Sequence, residues 1–337
     1  MTNENIDQKV KTVIVFHHSD LDGIGVKILG KLYANKLGCL CETYKCNYND
    51  VNEIVLKALS SRTFEDVYEI IIGDISVHEQ VAQFLDSLYK SGVPIRLRDH
   101  HATAKELNKY EWAFVDEEFN GVPRCGTWLL YRELNNLLPD IGTFVELVDD
   151  WDTWKWVKNY NVYAKRLNIL LQVTGDEVFT DYIIHLLSTT HIVVSIELFT
   201  TWADSIIDGH EIFVEKVAKL CNNNMKLVNL SLANREQKYL TGIIFCNNDI
   251  SDVADIILKE NPQIDTLMII SLPGHISYRT KKDLEIPLGE LAEVTTGSGG
   301  GHPHSAGCTI SKKQSDTILF NIIETLSSGN LIIDKAE

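Results

Sequence analysis

The 337-residue chain reads as an α/β protein with a parallel sheet wrapped by helices in its first half, a helical connection, and a smaller α/β unit near its carboxyl end. Three observations carry that reading. Short β-branched runs alternate with stretches of helical period from residue 12 to about 101. Helical character then dominates, and the alternation restarts near residue 240. The length itself suits two domains at the usual ~100 to 200 residues each.

The elements follow in order. "TVIVF" (12–16) has the composition of a buried strand, and "GIGVKILGKLYANKL" (23–37) the period of a helix. "CETYKC" (41–46) is the next strand and "VNEIVLKAL" (51–59) the next helix. "YEIIIGD" (68–74) reads as a buried strand ending on an aspartate, and "VAQFLDSLYKSG" (81–92) as a helix closed by glycine. "PIRLRDHH" (94–101) is a strand ending on Asp99, His100 and His101. Three strands thus end on carboxylate or imidazole side chains. In open parallel sheets ligands bind outside the carboxyl ends of the strands, so these endings are expected to converge.

A helix "CGTWLLYRELNNLL" (125–138) and an acidic, aromatic stretch "FVELVDDWDTWKW" (144–156) come next. Residues 192–231 show long helical periodicity with little strand character, and 192–235 is read as a helical linker between a domain at 1–191 and one at 236–330. In the latter, "TGIIFC", "TLMIISL" and "HISYRTK" read as strands, "DVADIILKEN", "LGELAEVT" and "SDTILFNIIETL" as helices, and "GSGGGHPHSAG" as a glycine-rich feature.

The net charge of −16 disfavours a binder of duplex nucleic acid, which needs a basic surface to neutralise many phosphates. A small anionic substrate remains compatible where cations supply local positive charge. No apolar run reaches the ~18 to 20 residues of a membrane span, and the polar start lacks the apolar core of a signal peptide, so a cytoplasmic protein is expected. Seven cysteines without a small-scaffold framework fit a reducing compartment, and Cys39, Cys41 and Cys46 read as small hydrophobes near a strand.

The first domain collects His17, His18, Asp20, Asp22, Asp74, Asp99, His100, His101 and the group Asp149, Asp150, Asp152. Imidazole and carboxylate without thiolate favour a divalent cation such as Mn²⁺, Mg²⁺, Fe²⁺ or Zn²⁺. So many carboxylates in one crevice repel one another unless cations sit between them, and two ions would account for the number of ligands.

"DLDG" at 20–23, the strand-end Asp74 and "RDHHAT" at 98–103 resemble the first three motifs of the DHH phosphoesterase superfamily. "GGGHPHSAG" at 299–307 resembles the GGGH motif of its DHH-associated domain, found in the branch that cleaves oligonucleotides and cyclic nucleotides. The resemblance covers about 12–325 in the family's order. It implies two divalent ions, Mn²⁺ first and Mg²⁺ as the alternative, in a cleft between the two domains. It puts His18, Asp20 and Asp74 on one ion, and Asp22, Asp74, His100 and Asp152 on the other, with Asp74 the bridge. His101 would face the substrate phosphate and Asp99 would orient the histidines. His17 is the alternative to His18, because the family's spacing from histidine to first aspartate is longer than the one here. Asp150 and Asp149 are the alternatives to Asp152. In the second domain the resemblance implies substrate contacts from Arg279, Gly299, Gly300, Gly301 and His302, a guanidinium being suited to phosphate and glycines to close backbone approach.

The function that follows is hydrolysis of short oligonucleotides or cyclic di- or oligonucleotides by water activated between two metals. The alternatives are a single-strand exonuclease on longer DNA or RNA and a silent nucleotide-sequestering protein. No room is left in the chain for the extra modules of long-substrate exonucleases, and a homodimer is left open.

Overall fold

In the computed structural model the described residues are 10–138, 141–189, 199–233, 236–271, 274–281, 284, 286–297, 299–302 and 304–317. The chain divides into two compact units, Met1–Asp208 and Gly209–Glu337.

The first unit is built on five parallel strands: β1 (Thr12–His17), β2 (Leu40–Lys45), β3 (Val67–Gly73), β4 (Ile95–Asp99) and β5 (Ala113–Val115), in the order β2-β1-β3-β4-β5. The intervening helices are α1 (Leu21–Leu37), α2 (Val51–Leu59) and α3 (Glu79–Lys90), with a 3₁₀ helix over Ala102–Lys109 before β5. That order reverses direction between β1 and β3, and a doubly wound sheet opens its ligand crevice at such a switch point.

Alternation along the strands explains the two-faced core. Val13, Val15 and Ile71 pack on one face with α1 and the later helices, whereas Ile14, Phe16, Ile70 and Ile72 pack on the other with α2 and α3. Each fully buried aliphatic or aromatic side chain stabilises the fold by roughly 1.5–3 kcal/mol. The helix α1 is buried over most of its surface, and even its Lys27 is 1% exposed. The ammonium there bonds Asp176 and Glu177, each over 2.7 Å, so the buried charge is paired.

A two-stranded hairpin, β6 (Glu118–Phe119) and β7 (Val122–Pro123), leads into α4 (Gly126–Leu134). Then come α5 (Gly142–Asp152), α6 (Lys155–Asn159), α7 (Val162–Thr174) and α8 (Asp176–Thr189). The unit boundary falls within α9 (Thr201–Asn223).

The second unit holds a six-stranded mixed sheet: β8 (Lys226–Leu230), β9 (Tyr239–Phe245), β10 (Thr266–Ser271), β11 (His275–Thr280), β12 (Gly299–His302) and β13 (Ser305–Thr309), in the order β12-β13-β11-β10-β9-β8. Helices α10 (Ile250–Glu260) and α11 (Leu288–Thr296) complete it. One sequence expectation is corrected here: the segment read as a helical linker contains β8, which pairs antiparallel with β9. The glycine-rich feature includes a strand, β12, paired antiparallel with β13. The helix expected over 315–326 lies largely outside the described residues, as does the end of the second domain near 330.

Candidate metal centre

Every sequence-predicted site residue of the first unit except His17, Asp149 and Asp150 meets at the carboxyl end of the parallel sheet. His18 follows β1, and Asp20 is the N-cap of α1, its Oδ1 accepting from Gly23 N over 3.0 Å. Asp22 lies in the first turn of α1, Asp74 follows β3, Asp99 ends β4, and Asp152 ends α5. His18, Asp20 and Asp74 form one group of convergent ligand atoms; Asp22, His100 and Asp152 form a second; Asp74, Asp99, His100 and His101 form a third. Within each group the atoms lie within 4.8 Å of one another.

The distances show how Asp74 joins them. Its Oδ2 lies 3.7 Å from His18 Nδ1, and its Oδ1 lies 3.4 Å from His100 Nε2. His100 Nε2 is also 3.4 Å from Asp152 Oδ2 and 3.8 Å from Asp22 Oδ2. The Asp74 backbone has φ 55°, a left-handed conformation that costs a non-glycine residue roughly 1–2 kcal/mol. Its N–H donates to Arg98 O in β4, and its carboxylate is aimed between two strand ends. Strain of this kind persists where surrounding structure holds it.

Local electrostatics follow from burial and like charge. Burial, together with the carboxylates of Asp22, Asp20 and Asp152, raises the Asp74 carboxyl well above the usual range. Burial and the charges of Asp22 and Asp20 push Asp152 up to about 8. Burial also raises Asp20, but the His18 ring 2.9 Å away outweighs it and holds that carboxyl at about 2.

Metal occupancy has a structural test in the buried polar atoms. Asp74 Oδ2 and Asp152 Oδ2 are buried and make no hydrogen bond, and buried His18 Nδ1 has only the Asp20 carboxylate beside it, 2.9 Å away. Unsatisfied buried polar atoms are rare in folded proteins and call for a partner. Two of them in one crevice, with the His18 nitrogen beside them, fit a divalent cation.

Two ambiguities of the sequence are resolved by where the side chains lie. His17 is 1% exposed and bonds the His18 carbonyl oxygen through Nδ1 over 2.7 Å; burial holds its imidazole down at about 4. It is His18 that enters the cluster. Asp149 is fully buried but committed elsewhere: Oδ2 accepts from Arg124 Nη1 over 2.7 Å and from Lys155 Nζ, and Oδ1 accepts from Cys125 N over 2.8 Å. Asp150 accepts from Asn161 Nδ2 over 2.8 Å. Asp152 is the member of that acidic trio brought to Asp22 and His100.

Asp99 organises the histidine pair. Its Oδ1 takes His100 N over 2.7 Å and His101 Nδ1 over 2.7 Å, while Ser76 Oγ donates to Oδ2. Burial lowers the basicity of His101, but the Asp99 carboxylate outweighs this and raises it.

Sequence reasoning missed several neighbours. Gly126 N and Thr127 N each donate to the Asp22 carboxylate over 2.7 Å, so α4 presents its amino-terminal end to Asp22. A Cβ on Gly126 would come within 2.9 Å of Asp74 N, Cα and Cβ, so only glycine lets α4 start there. Tyr48 bonds His101 Nε2 through its hydroxyl over 2.8 Å. The "CGT" at 125–127, a helix start rich in small residues, was the one local signal for Gly126; nothing local marks Tyr48.

In the second unit Arg279 lies on β11 with its guanidinium half-buried. It bonds Tyr278 O over 3.1 Å and Ser251 Oγ over 3.4 Å and joins no ion pair among the described residues. Burial lowers its basicity. Gly299 and Gly301 are required by packing: a Cβ would meet Cys308 and Ala292 in the first case, and Ser305 and Ala306 in the second. Gly300 alone faces open space. His302 ends β12, and its side chain lies outside the described residues.

No protein-family model matches the chain. It is 28% identical over 309 residues to oligoribonuclease NrnB of Bacillus subtilis (strain 168), covering 88% of this chain and 72% of that protein. It is 23% identical over 333 residues to a 3′,5′-cyclic-nucleotide phosphodiesterase of Helicobacter pylori (strain ATCC 700392 / 26695), covering 87% of this chain and 92% of that one. Its fold is shared with RecJ in complex with Mn²⁺ from Thermus thermophilus, at a TM-score of 0.52 and 12% identity, over 97% of this chain and 53% of that one. The two curated relatives are named for the cleavage of phosphodiester bonds, and the shared fold is a doubly wound sheet. Relatives and structural neighbours together support the resemblance to the DHH phosphoesterase superfamily. No helix among the described residues is long and apolar enough to cross a membrane.

Proposed function

We propose that this chain hydrolyses short oligonucleotides or cyclic di- or oligonucleotides with the help of two divalent cations, Mn²⁺ by preference. The observation that carries the reading is the convergence of the buried, hydrogen-bond-free oxygens Asp74 Oδ2 and Asp152 Oδ2 with His18, Asp20, Asp22 and His100. His18, Asp20 and Asp74 would hold one cation, and Asp22, Asp74, His100 and Asp152 the other. Cations bound there supply water activation and neutralise charge on the attacking and leaving oxygens of an in-line displacement.

The chain's own residues supply the rest. Asp22 is kept in place by the two amide donors of α4, and Asp74 by its bond to β4. Asp99 fixes the His101 ring through Nδ1, and Nε2, which meets the Tyr48 hydroxyl over 2.8 Å, would share that contact with a phosphate oxygen of the substrate. Arg279, hydrogen-bonded among the described residues to Tyr278 O and Ser251 Oγ, the open backbone at Gly300, and His302 are suited to the phosphate and sugar of a nucleotide. Relatives named as an oligoribonuclease and a cyclic-nucleotide phosphodiesterase support small nucleotides as the substrate class.

The test is a product assay with Mn²⁺ on dinucleotides, five-residue RNA and DNA, cyclic dinucleotides, larger cyclic oligonucleotides and 3′-phosphoadenosine 5′-phosphate. Release of a phosphomonoester and a free hydroxyl from short or cyclic members is expected. Tight binding of these ligands without turnover would replace the enzyme by a sequestering protein.

A further inference from the structure

Tyr48 lies in the turn between β2 and α2, with 54% of its surface exposed. An exposed tyrosine is ordinarily free to change rotamer, yet this one is held at two points. Its hydroxyl is 2.8 Å from His101 Nε2, the ring nitrogen that Asp99 leaves open. Its ring centroid is 4.9 Å from that of His18 and 5.6 Å from that of His101, the latter edge-on at 80°. The phenol is thus fixed beside the two imidazoles that flank the carboxylates, while more than half of it faces solvent.

A pocket of about 290 Å³ adjoins it, lined among others by Tyr48, Ser76, Glu79, His101, Thr103 and Glu106. Small-molecule pockets start at ~300 Å³, so this one has room for a single nucleoside-sized fragment. Its three carboxylates, of which Glu79 is paired with Lys109 over 2.7 Å and Asp99 with His101 over 2.7 Å, oppose a second phosphate. They suit a neutral group that carries N–H or O–H donors.

We infer that Tyr48 is a stacking platform for the nucleobase beside the scissile phosphate, and that the adjoining pocket receives that nucleoside. The identity of the ligand rests on the phosphodiesterase reading above. Stacking is indifferent to base identity because every base has a π-face, and by alanine substitution it changes affinity by roughly 5- to 150-fold.

The experiment couples the residue to the base. Binding of a slowly cleaved phosphorothioate-linked diadenosine to the Mn²⁺-loaded full chain is measured by calorimetry, alongside two ligands in which one or the other base is replaced by hydrogen. Wild type, Tyr48→Ala, Tyr48→Phe and Thr103→Trp are compared, and turnover of unmodified diadenosine monophosphate is followed in parallel. Tyr48→Ala is expected to weaken the intact ligand roughly 5- to 150-fold, with the penalty vanishing for one of the two abasic ligands. Tyr48→Phe should stay within about threefold of wild type, since the ring is kept, and Thr103→Trp should weaken the intact ligand at least about tenfold by filling the pocket. An equal penalty of Tyr48→Ala on all three ligands, or an equal loss in the phenylalanine variant, would overturn the platform; unchanged affinity in Thr103→Trp would overturn the pocket. Base-specific coupling without turnover would remove the phosphodiesterase reading and keep the platform, whereas turnover without coupling would remove the platform alone.

Discussion

Asp22 and Thr127 are joined twice across 105 residues: Thr127 N donates to Asp22 Oδ1 over 2.7 Å, and Thr127 Oγ1 donates to the Asp22 carbonyl oxygen over 2.6 Å. With Gly126 N on the other carboxylate oxygen, Asp22 caps α4 from a different helix while one of its oxygens stands 3.8 Å from His100. A candidate ligand is therefore also a structural tie between α1 and α4.

Asp22→Ala should for that reason destabilise the protein even without metal. Two buried amides lose their acceptor, at a cost of about 1–3 kcal/mol each before relaxation. Thermal melts in EDTA are the measurement, and a melting temperature equal to wild type would contradict the tie.

Asp74→Ala should behave in the opposite way. Its carboxylate crowds four others, Asp22, Asp20, Asp152 and Asp99, so its removal relieves repulsion and leaves stability in EDTA equal or higher. Mn²⁺-dependent hydrolysis should nevertheless vanish; more than a tenth of the wild-type rate would show that Asp74 is not the bridge.

The pH dependence of the metal-free protein isolates Asp152. Its folded value of about 8 lies above the ordinary carboxylate value, so the folded state holds its proton more tightly than the unfolded chain. The associated stability is fully present below the unfolded value near ~4 and is lost as pH rises through about 8. Asp152→Asn does not titrate there. Its unfolding free energy relative to wild type, followed by denaturant titration, should climb from about pH 4 and level off near pH 8, with a slope of at most ~1.4 kcal/mol per pH unit. A constant difference across that window would show that Asp152 is ionised throughout, and Mn²⁺ added to wild type should shrink the difference.

Gly126→Ala tests the fit between α4 and the cluster. The added Cβ must displace the Asp74 backbone or the start of α4, since it would sit 2.9 Å from three Asp74 atoms. Overpacking of this kind costs roughly 1–3 kcal/mol. The Mn²⁺ concentration giving half-maximal activity should rise at least about tenfold, in keeping with a cluster moved by tenths of an ångström; an unchanged Mn²⁺ titration would mean that the strain is absorbed elsewhere.

Arg279→Ala should raise KM for a short nucleotide substrate while leaving the Mn²⁺ titration of activity unmoved. Equal substrate affinity in the variant would remove this arginine from the binding surface.

The centre of the sheet is legible in the sequence because β1 and β3 are β-branched runs buried on both faces, and α2 reads to the residue because its apolar period is clean. What the sequence hides depends on distant partners. β5 is three residues long and is defined by pairing with β4, and β6, β7 and β8 are equally short or half-exposed. The glycine run reads as a loop because glycine is a weak strand former, yet Gly299 and Gly301 fit where any side chain would strike β13 or α11. The metal-ligand candidates are visible as strand ends. Their sorting is not, since Asp149 differs from Asp152 only in having Arg124, Cys125 and Lys155 for company. Tyr48 sits in the polar turn "CNYND", where no period or spacing distinguishes it from a solvated neighbour.

His17 and His18 are consecutive in an extended segment and so face opposite ways, one into the core and one into the crevice. A slip of β1 by a single residue against β3 would exchange them and bury the wrong imidazole. Assembly of the carboxylate–imidazole cluster thereby acts as a proofreader of chain alignment, complete only when the central strands have paired in the native frame.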